Sequence, residues 1–321
     1  MRYSILLLAY STLIAASFCD AADATKKSEQ TEAARLQCWV DLYRGEPLPY
    51  KAVVADLAGS RVIYLGERHN LMRHHKIQER IVNDLAKRGV PLVLAMEQIE
   101  ADDQPKVDRY NRGEIDFDEL ARSIGWGQRW HGYESYRGVV EAARKAGAPV
   151  LALNARRETI RQLARSGGLD RLAPNLRKEL PDEIQLKDPD YEHLLNLRLA
   201  VHMAAMGGRL QPMVEAQIAR DEQMASALSD YLKSEEGKSR VAVVLCGSMH
   251  CAHGLGTVSR VRRRMPGVKD RIILMSESGD VKITPAMKAV TRPVKITHED
   301  LRRVNLPIAG YLHIISRKPP Q

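Results

Sequence analysis

Short runs of consecutive apolar residues recur along the chain and alternate with stretches of helical periodicity. Six such runs predict strands buried on both faces of a sheet, because their apolar residues are continuous and do not alternate with polar ones. They cover residues 61–65, 91–96, 149–153, 241–245, 271–275 and 310–315. Between them, as in 77–85 and 139–143, apolar residues return every three or four positions, which is typical of helices packed on a sheet. This alternation predicts βαβ units and a parallel sheet.

The section between the third and fourth predicted strands has no convincing strand pattern. Apolar residues at 194, 195, 199 and 203, and again at 214, 218, 225, 228 and 232, mark two helices there. We therefore predict an α/β fold of three layers, α/β/α, with a mainly parallel sheet and a helical insertion at about residues 157–236. The folded domain is expected to span 36–321, after a polar linker at 22–35.

The first 21 residues have the pattern of a secretory signal peptide. Arg2 precedes an apolar run at 3–18, which is shorter than a typical transmembrane helix. Cleavage after Ser17 or Ala21 would release a soluble exported protein. Lipidation of Cys19 (a lipoprotein) or an uncleaved signal would instead hold the protein at the membrane periphery. We predict export, either to the periplasm or to the membrane periphery.

Composition excludes collagen-like and disordered chains, since 44% of the residues are apolar and 28% are charged. Only 2 residues are Phe, so the core must be largely aliphatic, which suits a parallel sheet. The net charge of +9 permits an acidic ligand, but export argues against a nucleic-acid partner. Beyond the signal, the three cysteines Cys38, Cys246 and Cys251 are an odd number, which argues against a disulfide framework. An arginine run at 260–264 predicts a solvated helix face.

Polar side chains follow four of the predicted strands. In chain order, the strands lead into Gly66-Glu67-Arg68-His69, Glu97-Gln98, Asn154 and Gly247-Ser248-Met249-His250. The carboxyl ends of parallel strands meet at one rim, where open α/β sheets bind ligands. In each Gly-x-x-His turn, the glycine permits a tight turn that can place an imidazole over this rim. We therefore predict a shared functional cleft at the rim.

The chemistry of these groups leaves alternatives open. His69, His250 and Glu97 are a donor set that suits a transition metal. The same groups suit general acid–base catalysis, because histidine titrates near neutral pH. A pair of histidines that only organises loops by hydrogen bonding is the third interpretation.

Two helical segments extend the predicted cleft. His74 and Gln78 lie four residues apart, so they share one helix face that can look into it. Asp221 and Gln217 fall inside the apolar stripe of the helix after Pro212, where an unpaired carboxylate would be costly. Asp221 therefore needs a partner, which can be one of the rim histidines, an arginine or a metal.

An aromatic cluster stands out in this aromatic-poor chain. Trp126, Trp130 and Tyr136 are its main members. It either stacks on a flat ligand or forms a satellite core.

These segments resemble the ChaN-type haem-binding uptake family, within the Tiki and erythromycin-esterase-like superfamily. The resemblance is carried by Trp39-Val40-Asp41-Leu42, Leu65-Gly66-Glu67-Arg68-His69, His74-His75 with Gln78, Glu97-Gln98, Ala152-Leu153-Asn154, Glu215-Ala216-Gln217, Arg220-Asp221-Glu222 and Gly247-Ser248-Met249-His250. It implies an exported protein of iron acquisition or haem handling that binds haem, often as a lipoprotein. It also implies a homodimer across the haem and an outer-membrane haem receptor as partners.

Carried over residue by residue, the resemblance makes Glu67, His69, Glu97 and His250 the superfamily site. They would be catalytic in a metal-dependent or general-base hydrolase that holds zinc or manganese at His69, Glu97 and His250. For haem, the implied pocket residues are His69, His74, Gln78, Tyr136, Asn154, Asp221, His250 and His253. His253 stands where the family is expected to carry a tyrosine, so haem ligation would use His253 or another residue. Whether the protein is an enzyme stays open.

Overall fold

The computed structural model describes residues 38–203, 210–278 and 307–316. The predicted signal peptide with Cys19 and the predicted linker lie outside these residues. The strands are β1 (Cys38–Asp41), β2 (Glu46–Leu48), β3 (Val62–Glu67), β4 (Leu92–Glu100), β5 (Val150–Asn154), β6 (Val241–Gly247), β7 (Asp270–Ser278) and β8 (Tyr311–Ser316). All six predicted strands are therefore confirmed, with ends shifted by a few residues.

The strands of the described residues form one sheet in the order β2-β1-β8-β7-β3-β6-β4-β5. Every pair from β8 to β5 in that order is parallel, whereas β1 pairs antiparallel with both β2 and β8. The sequence pattern did not predict β1 and β2. Both are short strands at one side of the sheet without a continuous apolar run, and β2 contains Pro47, which lacks an N–H for a ladder.

Eleven α-helices of the described residues cover the sheet. They are α1 (Tyr50–Leu57), α2 (Met72–Lys87), α3 (Gln104–Asn111), α4 (Phe117–Ser123), α5 (Trp126–Arg129), α6 (Arg137–Lys145), α7 (Arg157–Ser166), α8 (Pro174–Arg177), α9 (Pro189–Met203), α10 (Leu210–Lys233) and α11 (Thr257–Arg264). None of the helices in these parts of the chain is long and apolar enough to cross a bilayer.

Successive residues of the central strands point to opposite faces, and each face has its own apolar core. Ile63 and Leu65 of β3 pack in a cluster with side chains of α1, α2 and α6. Val62 and Tyr64 of the same strand pack in a second cluster with side chains of α10 and α11. Every residue of β3 is buried, which explains why its sequence is a continuous apolar run. The three-layer α/β/α fold is thus confirmed.

Helices α7 to α10 form the predicted insertion between β5 and β6. Ile160 and Leu163 of α7 share a small core with Ala216 and Ala219 of α10. The carboxyl-terminal half of α10 instead packs on the sheet through residues such as Leu228. Helix α10 therefore links the insertion to the main domain and brings insertion residues to the rim.

The prediction of a solvated arginine face on α11 is wrong. Only 1% of Arg260 is exposed, and its guanidinium lies 3.3 Å from Glu222 and 3.3 Å from Asp188. Arg263 and Arg264 also pair with Glu222. Of this run only Arg262 is exposed, and it pairs with Asp270. Arg260 is buried because α11 packs against α10, which carries Glu222, and this neighbour is not visible in the α11 sequence.

Candidate functional site

Strand register brings the predicted rim residues together. Glu67 at the end of β3 is the register partner of Gly247 at the end of β6. On the other side of β6, Leu245 pairs with Met96, so Glu97 of β4 lies at the same level of the sheet. Asn154 ends β5, and its Nδ2 donates to the Glu97 backbone oxygen at 2.7 Å. All four predicted strand ends therefore contribute to one site.

Glu67 is the centre of a buried hydrogen-bond network. His69 Nδ1 donates to its Oε1 at 2.8 Å, and Gln98 Nε2 donates to the same oxygen at 3.1 Å. Further donors to this carboxylate are Gln78 Nε2 and the Tyr136 hydroxyl, and His75 Nε2 lies 3.4 Å from Oε2. Burial raises the pKa of Glu67, but hydrogen bonds from the two histidines outweigh burial and lower that pKa to about 2. Glu67 is therefore a carboxylate at any physiological pH.

Glu97 lies between two imidazoles. Its Oε1 is 3.2 Å from His250 Nε2 and 3.7 Å from His69 Nε2, and its Oε2 accepts the Gly247 N–H at 2.6 Å. Burial raises the pKa of Glu97, but the charges of both histidines outweigh burial and hold that pKa well below its usual range. Glu97 thus joins the two Gly-x-x-His turns into one electrostatic unit.

His250 lies between two carboxylates. Its Nδ1 donates to Asp221 Oδ1 at 2.7 Å, while its Nε2 faces Glu97. Burial lowers the pKa of His250, but the negative charges of Glu97 and Asp221 outweigh burial and raise that pKa to about 10. Asp221 therefore has the partner that its place in an apolar stripe requires.

Two further partners of Asp221 were missed by the sequence reasoning. The Tyr191 hydroxyl donates to Oδ2 at 2.6 Å, and Thr257 Oγ1 donates to Oδ1 at 2.7 Å. Tyr191 belongs to α9 and Thr257 begins α11. Neither residue follows a strand or completes a motif, so no local signal could have found them.

The close contact between the His69 ring and the backbone explains why the Gly-x-x-His turn at 247–250 begins with a glycine. A Cβ on Gly247 would lie 2.8 Å from His69 Nε2, which is closer than real Cβ contacts, and 3.1 Å from its Cε1. Gly247 has an ordinary negative φ of −59°, so the constraint is space and not backbone conformation. The His69 ring therefore packs over a glycine that leaves room for it.

His69 is the partly open imidazole of the site. Its side chain is 38% exposed, whereas that of His250 is 6% exposed. The edge of the His69 ring meets Trp130, with 4.8 Å between the ring centroids. Burial lowers the pKa of His69, but the Glu97 and Glu67 charges and the Glu67 hydrogen bond outweigh burial and raise it.

The aromatic cluster is mostly core. Trp126 is 1% exposed and Tyr136 is fully buried, and both pack in the core that also holds Phe117 and Tyr133. Trp130 is half-buried and reaches the rim beside His69. The cluster is therefore not a satellite core but part of the main core of one sheet face, with Trp130 as its aromatic at the rim.

The remaining predicted site residues divide between two places. His74 is buried, and its Nδ1 accepts the Arg68 backbone N–H at 3.0 Å, so it holds the first turn from below. His75, the next residue of α2, is also buried, and its ring centroid lies 4.0 Å from that of Tyr136. His253 lines a separate cavity of about 570 Å³, together with residues such as Asp270.

The predicted metal donor set is brought together but is not arranged as a metal site. Within the described ranges, no group of three or more His, Cys, Asp or Glu side chains could hold a metal ion. Both ring nitrogens of His250 lie close to carboxylates, 2.7 Å from Asp221 and 3.2 Å from Glu97, whereas a metal needs a deprotonated ring nitrogen. The geometry supports an ordered set of imidazole–carboxylate pairs with one accessible imidazole.

Comparisons with known proteins show which proteins this chain resembles. The family model described as "Haem-binding uptake, Tiki superfamily, ChaN" matches residues 53–261. Among solved structures, the ChaN protein of Campylobacter jejuni, described with cofacial haem binding, is 18% identical, with a TM-score of 0.63 over 87% of this chain and 96% of that chain. A mutant erythromycin esterase in its open conformation is 13% identical, with a TM-score of 0.45 over 77% of this chain and 80% of that one. Among curated proteins, no sequence matches this chain.

The structural similarity to the Campylobacter protein shows a shared fold. The family model extends from α1 to α11 and includes every rim segment described above. Because the match covers more than half of the sequence, the chain belongs to the ChaN family of haem-binding uptake proteins in the Tiki superfamily.

Proposed function

We propose that this protein binds haem at the carboxyl-end rim of its sheet, with His69 as the protein ligand to iron, and that it handles haem after export. Membership of a haem-binding uptake family supports haem as the ligand. The single observation that carries the position is the partly exposed imidazole of His69, whose Nδ1 is anchored by Glu67 at 2.8 Å.

The residues at the rim fit the chemistry of haem. Haem needs only one or two donors from the protein, since the porphyrin nitrogens supply the rest, and imidazole is a common axial ligand. The bond from His69 Nδ1 to Glu67 fixes the ring orientation and raises the basicity of the other nitrogen. When bound, haem would supply the iron atom that His69 ligates, and the protein would carry this iron within the haem.

The buried residues of the site act as positioning residues in this proposal. Gln78 and Tyr136 hold the Glu67 carboxylate, and His250 and Asp221 hold Glu97 in place. Their side chains are almost fully buried, so they act on the ligand through the groups that they orient.

Haem titration of the purified protein tests the proposal. The wild type is expected to shift the Soret band of haemin, and His69→Ala is expected to abolish the shift. His253→Ala is the matched control, because it removes an imidazole from a separate cavity and is expected to bind as the wild type does. Loss of the shift in His253→Ala with retention in His69→Ala would overturn the rim assignment. A wild type without any shift would overturn haem binding itself.

Export is a separate part of the proposal and has its own test. The apolar run at 3–18 after Arg2 supports a signal peptide. Mass spectrometry of the protein recovered from the cell envelope should find a new amino terminus after Ser17 or Ala21, or a lipid on Cys19. An intact amino terminus in a cytoplasmic fraction would contradict export.

A hydrolase is the second candidate, and one observation favours it. Two imidazole–carboxylate pairs, His69 with Glu67 and His250 with Asp221, meet at Glu97. Such pairs perform general acid–base chemistry, and the raised pKa of His250 would make it the acid. Turnover of an ester or peptide substrate by the wild type and not by Glu97→Gln would support this candidate. Absence of turnover across such a panel would remove it.

A further inference from the structure

A small polar cavity adjoins His69 at the rim. It has a volume of about 120 Å³, and Trp130, which contacts the His69 ring, forms part of its wall. Its polar lining also includes Asn154, three arginines and two carboxylates: Arg129, Arg157, Arg220, Glu100 and Asp103. The volume is below the range of about 300–1,000 Å³ for pockets that enclose whole drug-sized ligands. The cavity therefore suits one polar arm of a larger ligand.

Two arginines of this cavity have no carboxylate partner among the described residues. Arg157 donates only to the Arg129 backbone oxygen, at a long 3.4 Å, and Arg220 makes no ion pair in these ranges. The Nε atom of Arg220 is buried without a hydrogen-bond partner. The two carboxylates of the same cavity, Glu100 and Asp103, are already matched by cations: Arg129 pairs with both, and Lys106 pairs with Asp103.

Buried polar atoms of the cavity wall are also unsatisfied. Gln98 is 4% exposed and Asn154 is 8% exposed, and the amide oxygen of each has no hydrogen-bond partner among the described residues. A polar group in such a place normally has a partner, because leaving it unpaired is unfavourable. Both of these open atoms are acceptors, so they can take a donor such as water but not an anion. The anionic oxygen ligand is instead indicated by the guanidinium groups of Arg157 and Arg220, which have no counter-charge among the described residues.

A carboxylate matches this chemistry. The planar guanidinium of arginine presents N–H groups in a fork that fits the two oxygens of a carboxylate. A more open depression of about 260 Å³ adjoins the cavity and shares Arg157 with it. Besides Arg129, the other arginines there, Arg156 and Arg161, are paired with Glu179 and Glu158, so Arg157 is the arginine of this depression that is left for a ligand. The ligand's remaining bulk would lie outside the cavity, toward Trp130 and His69.

We propose that Arg157 and Arg220 form a carboxylate-binding subsite that receives a propionate group of haem beside His69. This inference rests on the haem-binding function proposed above and adds how the ligand is oriented at the rim. The subsite combines residues from two elements, since Arg157 begins α7 and Arg220 lies on α10 of the insertion.

Esterification of the ligand tests the subsite directly. Haemin and haemin dimethyl ester carry the same iron and ring, but the ester has no free carboxylate. The wild type should bind haemin about ten- to a hundredfold more tightly than the ester, as expected for charge-assisted hydrogen bonds. The double variant Arg157→Gln/Arg220→Gln should bind both with the affinity that the wild type has for the ester. Equal binding of both ligands by the wild type, or a preserved preference in the double variant, would overturn the subsite.

Iron-free protoporphyrin separates this inference from the proposed function. It keeps both propionates and lacks iron, and its binding can be followed by quenching of tryptophan fluorescence. Quenching that is lost in the double variant and kept in His69→Ala would support the subsite, even if haemin gave no Soret shift and iron ligation failed. Quenching that is identical in the wild type and the double variant would overturn it.

A charge-matched control excludes a general effect of net charge. Arg122→Gln/Arg165→Gln removes two exposed arginines that line none of the described cavities, and it should bind haemin like the wild type. Equal weakening in this control and in the test variant would overturn the subsite. If the double variant does not fold, Arg157→Gln alone, at an exposed position, keeps the comparison with the ester.

Discussion

Replacement of Glu67 by glutamine should destabilise the protein strongly and in a pH-dependent way. Glu67 is 1% exposed and accepts hydrogen bonds from His69, Gln78, Gln98 and Tyr136. The side-chain amide that replaces the carboxylate would turn one acceptor into a donor that faces other donors. Removing one member of such a buried charged network costs about 3–5 kcal/mol.

The pKa of Glu67 gives a second route to the magnitude. Its decrease from 4.5 to about 2 on folding corresponds to about 3 kcal/mol of stability at neutral pH. Because the folded-state pKa is the lower one, this stability is fully present above pH 4.5 and is lost as the pH falls through about 2. At pH 3, only about 1 kcal/mol of it should remain.

Urea unfolding followed by circular dichroism measures both effects. The gap in unfolding free energy between the wild type and Glu67→Gln should be about 3–5 kcal/mol at pH 7, and it should narrow by about 2 kcal/mol at pH 3. The control is Glu235→Gln, whose carboxylate is 89% exposed and which should change stability by less than about 0.5 kcal/mol. A gap below about 1 kcal/mol at pH 7, or one that does not depend on pH, would refute the network as a source of stability.

Three further outcomes follow from the site and its support. Gly247→Ala should displace the His69 ring, since the new Cβ would lie 2.8 Å from its Nε2. We expect the free energy of unfolding to fall by about 1–3 kcal/mol and the Soret shift to weaken, and unchanged values would contradict the close contact. His250 should remain protonated at pH 8 in nitrogen-15 NMR, because its pKa in the folded protein is raised from 6.5 to about 10. The stability gained from this shift is present below pH 6.5 and is lost as the pH rises through about 10. A neutral ring at pH 7 would refute the shift. Arg260→Met should cost about 1–3 kcal/mol in urea unfolding, because buried Glu222 loses one partner and keeps Arg263 and Arg264. A variant as stable as the wild type would show that the Arg260 ion pair adds nothing.

Much of the candidate site could be predicted because parallel strands end together. The turns at 66–69 and 247–250, with Glu97 and Asn154, follow strands that are recognisable from their apolar runs alone. Their convergence is a property of the sheet and not of any single motif. The apolar stripe of α10 likewise predicted a partner for Asp221, although it could not choose among the alternatives.

The α/β class, the order of strands and helices, and the residues of the four strand ends could be predicted from the chain, because periodicity and strand-end position are local properties. The pairing of Asp221 with His250, its further partners Tyr191 and Thr257, and the burial of Arg260 became visible only in the folded protein. Those outcomes depend on which helices pack together, and hence on burial and charge between segments far apart in sequence. The same physics leaves Arg220 without a counter-charge among the described residues at the rim, where its chain neighbours alone would not distinguish it from an ordinary surface arginine.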